Sequence, residues 1–284
     1  MSNAIRRRIL PATVFAVFFV VTCAGLSFGA PAQGMRLYVL LNGTMTIDKG
    51  YLTAMKDVGK PITIPIPAFL IVHPKGLVLF DTGMNPDHMG EALKTAELPV
   101  QSEDQKLPNQ LKKLGYSVSD IRYVVLSHMH VDHAGGMNLF PKATFVVQKD
   151  ELKAAWWPEP FQRFAYVLPD YEGTRNFNFM QLDSDWDLFG DGTIRIIRTI
   201  GHSQGHQSAV VKLPKTGTLI LTGDAAFMDD NLKGVVPGIV WSPEKAMESI
   251  ERIKWEKERS GGAIWFSHDP DFFKTLRLVP EYYE

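Results

Sequence analysis

The stretch His128-Met129-His130-Val131-Asp132-His133 decides how this chain is interpreted. It places three imidazoles and one carboxylate within six consecutive residues, a density that ordinary core packing does not require. Neutral imidazole and carboxylate are the ligands that zinc and neighbouring divalent metals take when cysteine is absent. The stretch therefore predicts a metal site. A surface histidine cluster or a closed structural site is the alternative, but a closed site needs only four ligands, and this chain offers more.

Short apolar runs elsewhere in the chain also end in polar clusters. Because the carboxyl ends of strands and the loops after them commonly build active sites, we expect these clusters to converge on one rim. Taken singly, a histidine or aspartate after a strand is usually a satisfied turn residue, so only the joint pattern supports a site. The runs are residues 77–80 before Asp81-Thr82-Gly83, 121–126 before the histidine stretch, 194–200 before Gly201-His202, 218–221 before Gly223-Asp224 and 263–266 before Ser267-His268.

Two amphipathic helices accompany these predicted strands, so the residues indicate an α/β or α+β protein. The first carries leucines at three- and four-residue spacing from Leu107 to Leu114 and ends at Gly115. The second begins at Ser242 as N-cap, with Pro243 in its first helical position. Its predicted buried stripe consists of Ala246, Ile250 and Ile253.

The N-terminal segment has the pattern of a signal peptide. Arg6-Arg7-Arg8 precede an apolar stretch over residues 9–28, and Ala30-Pro31-Ala32 has the small-x-small form of a cleavage site. We therefore predict a signal peptide over residues 1–32, one hydrolase domain over residues 33–284, and a periplasmic or secreted location. An uncleaved membrane anchor is the alternative, since the apolar length nearly permits a span.

Composition limits the partners of the remaining chain. The single cysteine, Cys23, lies inside the predicted leader, so the exported protein has neither a disulfide nor a thiolate ligand. Without the three leader arginines, 27 basic residues face 31 acidic ones, a formal charge of −4. With no basic block in the body of the chain, we expect no nucleic-acid partner and no membrane contact beyond the leader.

The order of these motifs resembles the metallo-β-lactamase superfamily, and within it the chain is most similar to the N-acyl homoserine lactonases. Three segments carry the resemblance: residues 127–136, residues 201–208 (Gly-His-Ser-Gln-Gly-His-Gln-Ser), and the ending Pro280-Glu281-Tyr282-Tyr283. The resemblance implies an α+β fold, an αββα sandwich in which two β-sheets are flanked by helices. It also implies a site that holds two divalent metal ions, expected to be zinc.

The same resemblance assigns roles to individual residues. His128, His130 and His202 would hold one metal, Asp132, His133 and His268 the other, and Asp224 would bridge them. Asp132 would also act catalytically, by protonating the leaving alkoxide after a metal-bridging hydroxide attacks the substrate. His206 and Asp81 would support the site without ligating, while His73 and His88 match no motif and are expected to face solvent. Gly135-Gly136 is expected to turn in the left-handed region beneath the site.

The function that the resemblance implies is the opening of N-acyl homoserine lactones or related lactones, with a small ester or lactone as the partner molecule. Another dinuclear hydrolase, acting on a thioester, an aryl ester or a phosphotriester, stays open because Phe227 stands where these lactonases often have a tyrosine. A metal-binding protein without turnover is the third alternative. Aromatic residues between positions 156 and 179 either line an acyl pocket, pack on the core or form the face of a homodimer.

Overall fold

Two β-sheets packed face to face carry the fold, in a computed structural model that describes residues 34–88 and 99–284. The predicted leader lies outside the described residues. The strands are β1 Arg36–Asp48, β2 Pro61–His73, β3 Gly76–Phe80, β4 Ile121–Val125, β5 Thr144–Gln148, β6 Asn178–Leu182, β7 Trp186–Asp187, β8 Ile194–Arg198, β9 Gln207–Leu213, β10 Gly217–Leu221 and β11 Ala263–Trp265. The α-helices with described bounds are α1 Leu107–Lys113, α2 Val131–Ala134, α3 Lys149–Trp156, α4 Leu168–Tyr171, α5 Asp229–Leu232, α6 Pro243–Ser260 and α7 Pro270–Phe273.

Each sheet combines antiparallel and parallel pairing. The first sheet runs in chain order from β1 to β6; β1, β2 and β3 pair antiparallel, and β3 to β6 pair parallel. The second sheet has the order β11-β10-β9-β8-β7, and only β10 and β11 pair parallel. The parallel strands of both sheets require crossovers, and helices or long loops provide them.

The side-chain alternation of β2 explains why its residues 64–72 are all apolar. Phe69 and Ile71 enter the core between the two sheets, whereas Ala68 and Leu70 enter the core on the outer face of the first sheet. A strand that is covered on both faces has no position for a polar residue, so its sequence is a continuous apolar run.

Helices cover the outer face of each sheet, which completes the αββα sandwich. Leu107 and Leu111 of α1 join the outer core of the first sheet. Ile250 and Ile253 of α6 pack on the outer face of the second sheet, in the cluster that contains Ile220 of β10. The predicted fold class is confirmed. Within residues 34–88 and 99–284, no helix has both the length and the apolar character to cross a membrane.

The two predicted helices form where the sequence placed them. Gly115 follows α1 with φ of 81°, a left-handed conformation that glycine adopts without a steric cost. The Ser242 hydroxyl accepts a hydrogen bond from the Lys245 amide (3.3 Å) at the start of α6. Pro243 takes the first helical position, where no amide donor is needed. Local capping chemistry therefore sets the C-terminal end of α1 and the start of α6.

Two expectations about local structure were wrong. Gly135 and Gly136 have φ of −58° and −96°, so neither is left-handed. They are glycines because the backbone at residues 82–85 lies so close that any side chain would clash with it. His73 does not face solvent: it is 4% exposed, and its ring stacks on Phe189 with centroids 4.1 Å apart. Its Nδ1 accepts from the Lys75 amide (3.1 Å), so its polar atoms are satisfied inside the fold.

His88 also departs from its expected solvent-facing position. Its side chain is about one third exposed, and Nδ1 lies 2.5 Å from Oδ1 of the buried Asp170 in α4. This pair joins the segment after β3 to a helix that follows β5. The imidazole is held by a carboxylate and is not a free surface group.

Candidate metal centre

The ends of strands from both sheets deliver the seven predicted ligands to one place. Each of the five predicted runs is a strand that ends within two residues of its predicted end. The convergence on one rim is confirmed, because the ligand atoms fall into two compact groups whose atoms lie within 4.8 Å of one another. One group consists of His128, His130 and His202, and the other of Asp132, His133, Asp224 and His268.

The first group is a cluster of three buried imidazoles. Nε2 of His202 lies 3.1 Å from Nε2 of His128 and 2.8 Å from Nδ1 of His130. Burial lowers the pKa of all three side chains, and neighbouring imidazoles lower those of His128 and His130 further. The rings are therefore neutral at neutral pH, and their lone pairs are available to a metal.

The second group combines two imidazoles with two carboxylates. Nε2 of His133 and Nε2 of His268 are 3.2 Å apart. Burial opposes the charged imidazolium, yet the Asp224 and Asp132 carboxylates outweigh it and raise the pKa of His268 to about 10. The pKa of His133 is raised in the same way. This half of the centre therefore favours bound positive charge.

Asp224 stands between the two groups. Its Oδ2 faces the first group, at 3.4 Å from His202 Nε2 and 3.8 Å from His128 Nε2. Its Oδ1 faces the second group, at 3.2 Å from His133 Nε2 and 3.1 Å from His268 Nε2. One carboxylate thus presents one oxygen to each group, which is the geometry of a bridging ligand.

The donor set fits two divalent metal ions. Oδ1 of Asp224 is buried and has no hydrogen-bond partner among the described residues, although two imidazole nitrogens lie within 3.2 Å. A buried carboxylate and two imidazoles this close together are favourable when they share positive charge, which a metal cation supplies. Imidazole and carboxylate without thiolate suit zinc, manganese, iron or cobalt.

Hydrogen bonds outside the centre fix the orientation of its imidazoles. Nδ1 of His202 donates to the Ile239 carbonyl (2.7 Å), and Nδ1 of His268 donates to the Pro65 carbonyl (2.9 Å). Nδ1 of His133 lies 2.8 Å from Oδ2 of Asp81. Because Nδ1 is engaged in all three rings, Nε2 is left to face the centre.

Asp81 and His206 support the centre without belonging to either group. Asp81 also accepts hydrogen bonds from the Ser127 amide (2.6 Å) and hydroxyl (2.8 Å). It adopts φ of 61°, a strained conformation for a non-glycine residue that its contacts hold in place. His206 accepts the Asp224 amide at Nε2 (2.9 Å), and burial lowers its pKa to about 3, which keeps it a neutral acceptor.

Glu151 is a further component that the sequence did not reveal. It is fully buried in α3 and accepts hydrogen bonds from the Met129 amide (2.8 Å) and the Ser203 hydroxyl (2.6 Å). The Gly205 amide (3.1 Å) and the Tyr166 hydroxyl (3.0 Å) complete its partners. It therefore ties the loop of the histidine stretch to the loop that carries His202. A glutamate in the first turn of a helix is typical of an exposed face, so its sequence carried no signal.

A narrow apolar pocket opens over the centre. Phe227 forms part of it, with its ring centroid 5.4 Å from that of His202. Phe164 of the aromatic stretch also lines the pocket, whereas Tyr166 and Tyr171 are buried in the core of the first sheet. Different residues of that stretch therefore have different surroundings, since Phe164 lines the pocket and the two tyrosines pack in the core. The other apolar lining residues are Met45, Ile47, Leu52, Ile64, Val131, Ala165 and Ile239.

Comparison with known proteins agrees with this architecture. The model of the metallo-beta-lactamase superfamily matches residues 63–256. The N-acyl homoserine lactonase AttM of Azorhizobium caulinodans is 35% identical over 88% of this chain and 99% of the relative. The N-acyl homoserine lactonase AiiA of Bacillus thuringiensis subsp. kurstaki is 30% identical over 87% of this chain and 98% of its own length.

A solved structure supports the same relationship. An N-acyl homoserine lactone hydrolase with the product N-hexanoyl-L-homoserine at its catalytic metal centre superposes with a TM-score of 0.77 and 29% identity. The match covers 87% of this chain and 98% of that one. Sequence, fold and ligand geometry agree, and the chain therefore belongs to the metallo-β-lactamase superfamily.

Proposed function

We propose that this protein is a hydrolase that opens N-acyl homoserine lactones or closely related lactones with two divalent metal ions. One observation supports the proposal most strongly. The carboxylate of Asp224 lies between two groups of ligand atoms, at the bottom of an apolar pocket. The similarity to lactonases over nearly the whole described chain supports the choice of substrate. Zinc is the metal we expect, because imidazole and carboxylate ligands without cysteine suit it.

Bound divalent metals would lower the pKa of a water molecule towards about 7 and polarise a substrate carbonyl. Asp132 is the residue we propose for proton transfer. It lines the pocket, and its Oδ2 lies 3.4 Å from His268 Nε2. Burial raises its pKa, but His133 and His268 outweigh burial and hold it at about 2. The carboxylate is therefore ionised, and it can accept a proton during attack and return it to the leaving alkoxide, a role typically worth about 10² to 10⁴ in rate.

The pocket walls suit a substrate with an apolar chain. Ile47, Leu52 and Phe164 present hydrocarbon surface above the ligands. Burial of an acyl chain there gains about 0.8 kcal/mol for each methylene removed from water. The same walls exclude water from the reacting carbonyl, which strengthens the electrostatic interactions at the centre.

A second candidate function follows from Phe227. Its phenyl ring lies beside His202 and His268 but offers no hydrogen-bond donor. A missing donor to a developing oxyanion can cost on the order of 10² to 10³ in rate. A thioester, an aryl ester or a phosphotriester is therefore the alternative substrate class.

The location and self-association of the protein are part of the proposal. The leader pattern over residues 1–32 supports export to the periplasm or the medium. Trp157 is 82% exposed and Phe161 is 56% exposed, and these side chains are candidates for the face of a homodimer. Nucleic acid is not an expected partner, since the body of the chain is acidic.

A substrate panel tests the proposed function directly. The exported form is purified, its metal content is measured, and proton release is followed with lactones, thioesters, an aryl ester, a chromogenic β-lactam and a phosphotriester. We expect fastest turnover with an N-acyl homoserine lactone and a metal content near two per chain. Strong turnover of the phosphotriester, with no turnover of the lactones, would favour the second candidate function over the lactonase. Two bound metals with no turnover on any ester would support the metal-binding alternative.

A further inference from the structure

Tyr51 supplies the only hydroxyl group in the described lining of the pocket over the metal centre. Apart from the candidate metal ligands, every other lining residue is apolar. The side chain is 45% exposed, so it stands at the mouth of the pocket. Its hydroxyl makes no hydrogen bond within residues 34–88 and 99–284. A hydroxyl group without a partner among the described residues, on a side chain that lines a pocket, is available to a ligand.

The backbone of Tyr51 is held firmly in place. It ends a short 3-10 helix, Lys49–Tyr51, whose start is capped by a hydrogen bond from the Gly50 amide to Oδ1 of Asp48 (2.8 Å). The Tyr51 carbonyl accepts the Ile239 amide (2.9 Å). Gly238 packs so closely against this backbone that any side chain at that position would clash with it.

The same contacts connect Tyr51 to the metal centre. Ile239 donates its amide to Tyr51 and accepts Nδ1 of His202 at its own carbonyl (2.7 Å). A single residue thus separates the Tyr51 backbone from a candidate metal ligand. Two hydrogen bonds therefore set the position of the Tyr51 backbone relative to the centre.

Tyr51 and Phe227 occupy different depths of the pocket. Phe227 is 2% exposed and lies beside His202 and His268, two of the candidate metal ligands. Tyr51 lies farther out. In an N-acyl homoserine lactone the ring carbonyl is the reacting group, and the amide joins the ring to the acyl chain. A ring held at the centre with its chain leaving through the mouth therefore places the amide towards Tyr51.

We propose that Tyr51 is a substrate-binding residue whose hydroxyl donates a hydrogen bond to the acyl-amide oxygen of the lactone substrate. This inference rests on the proposed function and makes it more specific. The protein would recognise the amide at the mouth of the pocket, whereas the floor beside Phe227 contributes only apolar contact. The preferred substrates are then lactones that carry an acylamide beside the ring, over plain lactones of the same length.

The substitution Tyr51→Phe tests this assignment, because it removes the hydroxyl and keeps the ring. The probes are N-hexanoyl homoserine lactone and a plain γ-alkyl lactone of similar length that lacks the amide. One hydrogen bond lost from binding predicts a roughly three- to tenfold lower kcat/KM on the acylamide lactone, mainly through KM. The plain lactone should be hydrolysed at the wild-type rate. Tyr282→Phe, at a tyrosine that packs on Tyr38 away from the pocket, is the matched control and should change neither rate.

Three results would overturn the assignment. Wild-type activity of Tyr51→Phe on both lactones would show that the hydroxyl does not bind the substrate. Equal losses of kcat/KM on both lactones would show that the hydroxyl does not bind the amide. A lower unfolding midpoint or metal content in Tyr51→Phe, together with a loss on the acylamide lactone, would indicate a structural role. Failure of the proposed function is distinguishable, since the wild-type protein would then hydrolyse neither lactone.

Discussion

The two carboxylate oxygens of Asp224 are the smallest feature on which the function depends. Each faces a different group of imidazoles, so removal of this side chain affects both metal positions at once. We predict that Asp224→Ala lowers the metal content below two per chain and abolishes hydrolysis. Elemental analysis and the lactone assay measure both effects. Asp229→Ala, at an exposed aspartate nearby in sequence, is the control. Unchanged metal content and rate in Asp224→Ala would refute the bridging assignment.

Phe227 gives a second prediction at the level of one residue. The ring lies within 6.0 Å of both His202 and His268 by centroid distance, so a hydroxyl added to it would stand near the substrate carbonyl. Phe227→Tyr should raise kcat on lactones, by up to about 10² to 10³ if the new donor is well aligned. Steady-state kinetics on one lactone and one phosphotriester measure the change. A variant with unaltered lactone turnover would show that catalysis does not use this position.

The sequence predicted the ligands better than their supports. The histidine stretch lies within six residues, and its chemistry is visible without a structure. Asp224 and His268 each follow an apolar strand, which predicted their convergence with the stretch, and the resemblance supplied their ligand roles. Glu151 and Tyr51 were not predictable, since one is an acidic residue in a helix and the other a tyrosine before a loop. Their roles arise only from tertiary neighbours, and no local pattern encodes those neighbours. His73 was misjudged for the same reason.

At the level of elements, Glu151 connects α3 to two loops, the loop of the histidine stretch and the loop that carries His202. Four donors converge on one buried carboxylate, and two of them are backbone amides that have no other acceptor among the described residues. Glu151→Ala should therefore cost about 3 kcal/mol or more in the free energy of unfolding and weaken metal retention. The substitution Asp150→Ala, at a half-exposed aspartate in the same turn, should cost at most about 1 kcal/mol. Urea unfolding of both variants makes the comparison. Equal losses of unfolding free energy in the two variants would show that Glu151 does not hold the two loops to α3.

The contact between His88 and Asp170 predicts a pH dependence. Burial raises the pKa of Asp170 to about 6, above its ordinary value of 3.8, although His88 opposes the shift. Between these two values the folded protein holds a proton that the unfolded chain has released. The contribution of Asp170 to stability is therefore full below about pH 4 and is lost as the pH rises through 6.

The variant Asp170→Asn isolates this effect. Its stability relative to the wild-type protein should increase between pH 4 and pH 7, by up to about 3 kcal/mol, because the amide does not titrate. Urea unfolding of both proteins at several pH values gives the difference, from which pH effects common to both cancel. A difference that is constant with pH would mean that Asp170 titrates normally in the folded state.

Most elements followed from local sequence, and their arrangement did not. Capping residues and apolar spacing predicted α6 correctly, because its start and buried stripe depend on neighbours in the chain. The strand order within each sheet depends on pairing between distant segments, such as β10 with β11 across α6. The residues themselves predicted no strand order, and the resemblance implied only the αββα arrangement of the layers. Gly135 shows the limit most clearly, since its need for glycine comes from the backbone of Asn85 on a different segment.

At the level of the whole molecule, the centre joins the two sheets. His128 and His133 follow β4 of the first sheet, whereas His202, Asp224 and His268 follow strands of the second. The family match ends at residue 256, so His268 reaches the centre through a part of the chain beyond it. A ligand shared by both halves of a fold binds the folded state alone, and its binding free energy adds to the stability of the whole.

Removal of the metals should therefore destabilise the entire protein and not only its active site. A ligand present at 100 to 1,000 times its dissociation constant contributes about 2.7 to 4.1 kcal/mol, which for a chain of this size corresponds to roughly 10 °C in the unfolding midpoint. We expect a chelator to lower the midpoint by about that amount, with one cooperative transition, because both sheets lose the same link. Added zinc should restore the midpoint and raise it further with the logarithm of its concentration.

Two variants provide the controls. Asp229→Ala, which leaves the ligands intact, should respond to the chelator as the wild-type protein does, whereas Asp224→Ala should respond less. A midpoint that is the same with and without chelator, in protein shown to have lost its metals, would mean that the ligand cluster is held together by the fold alone.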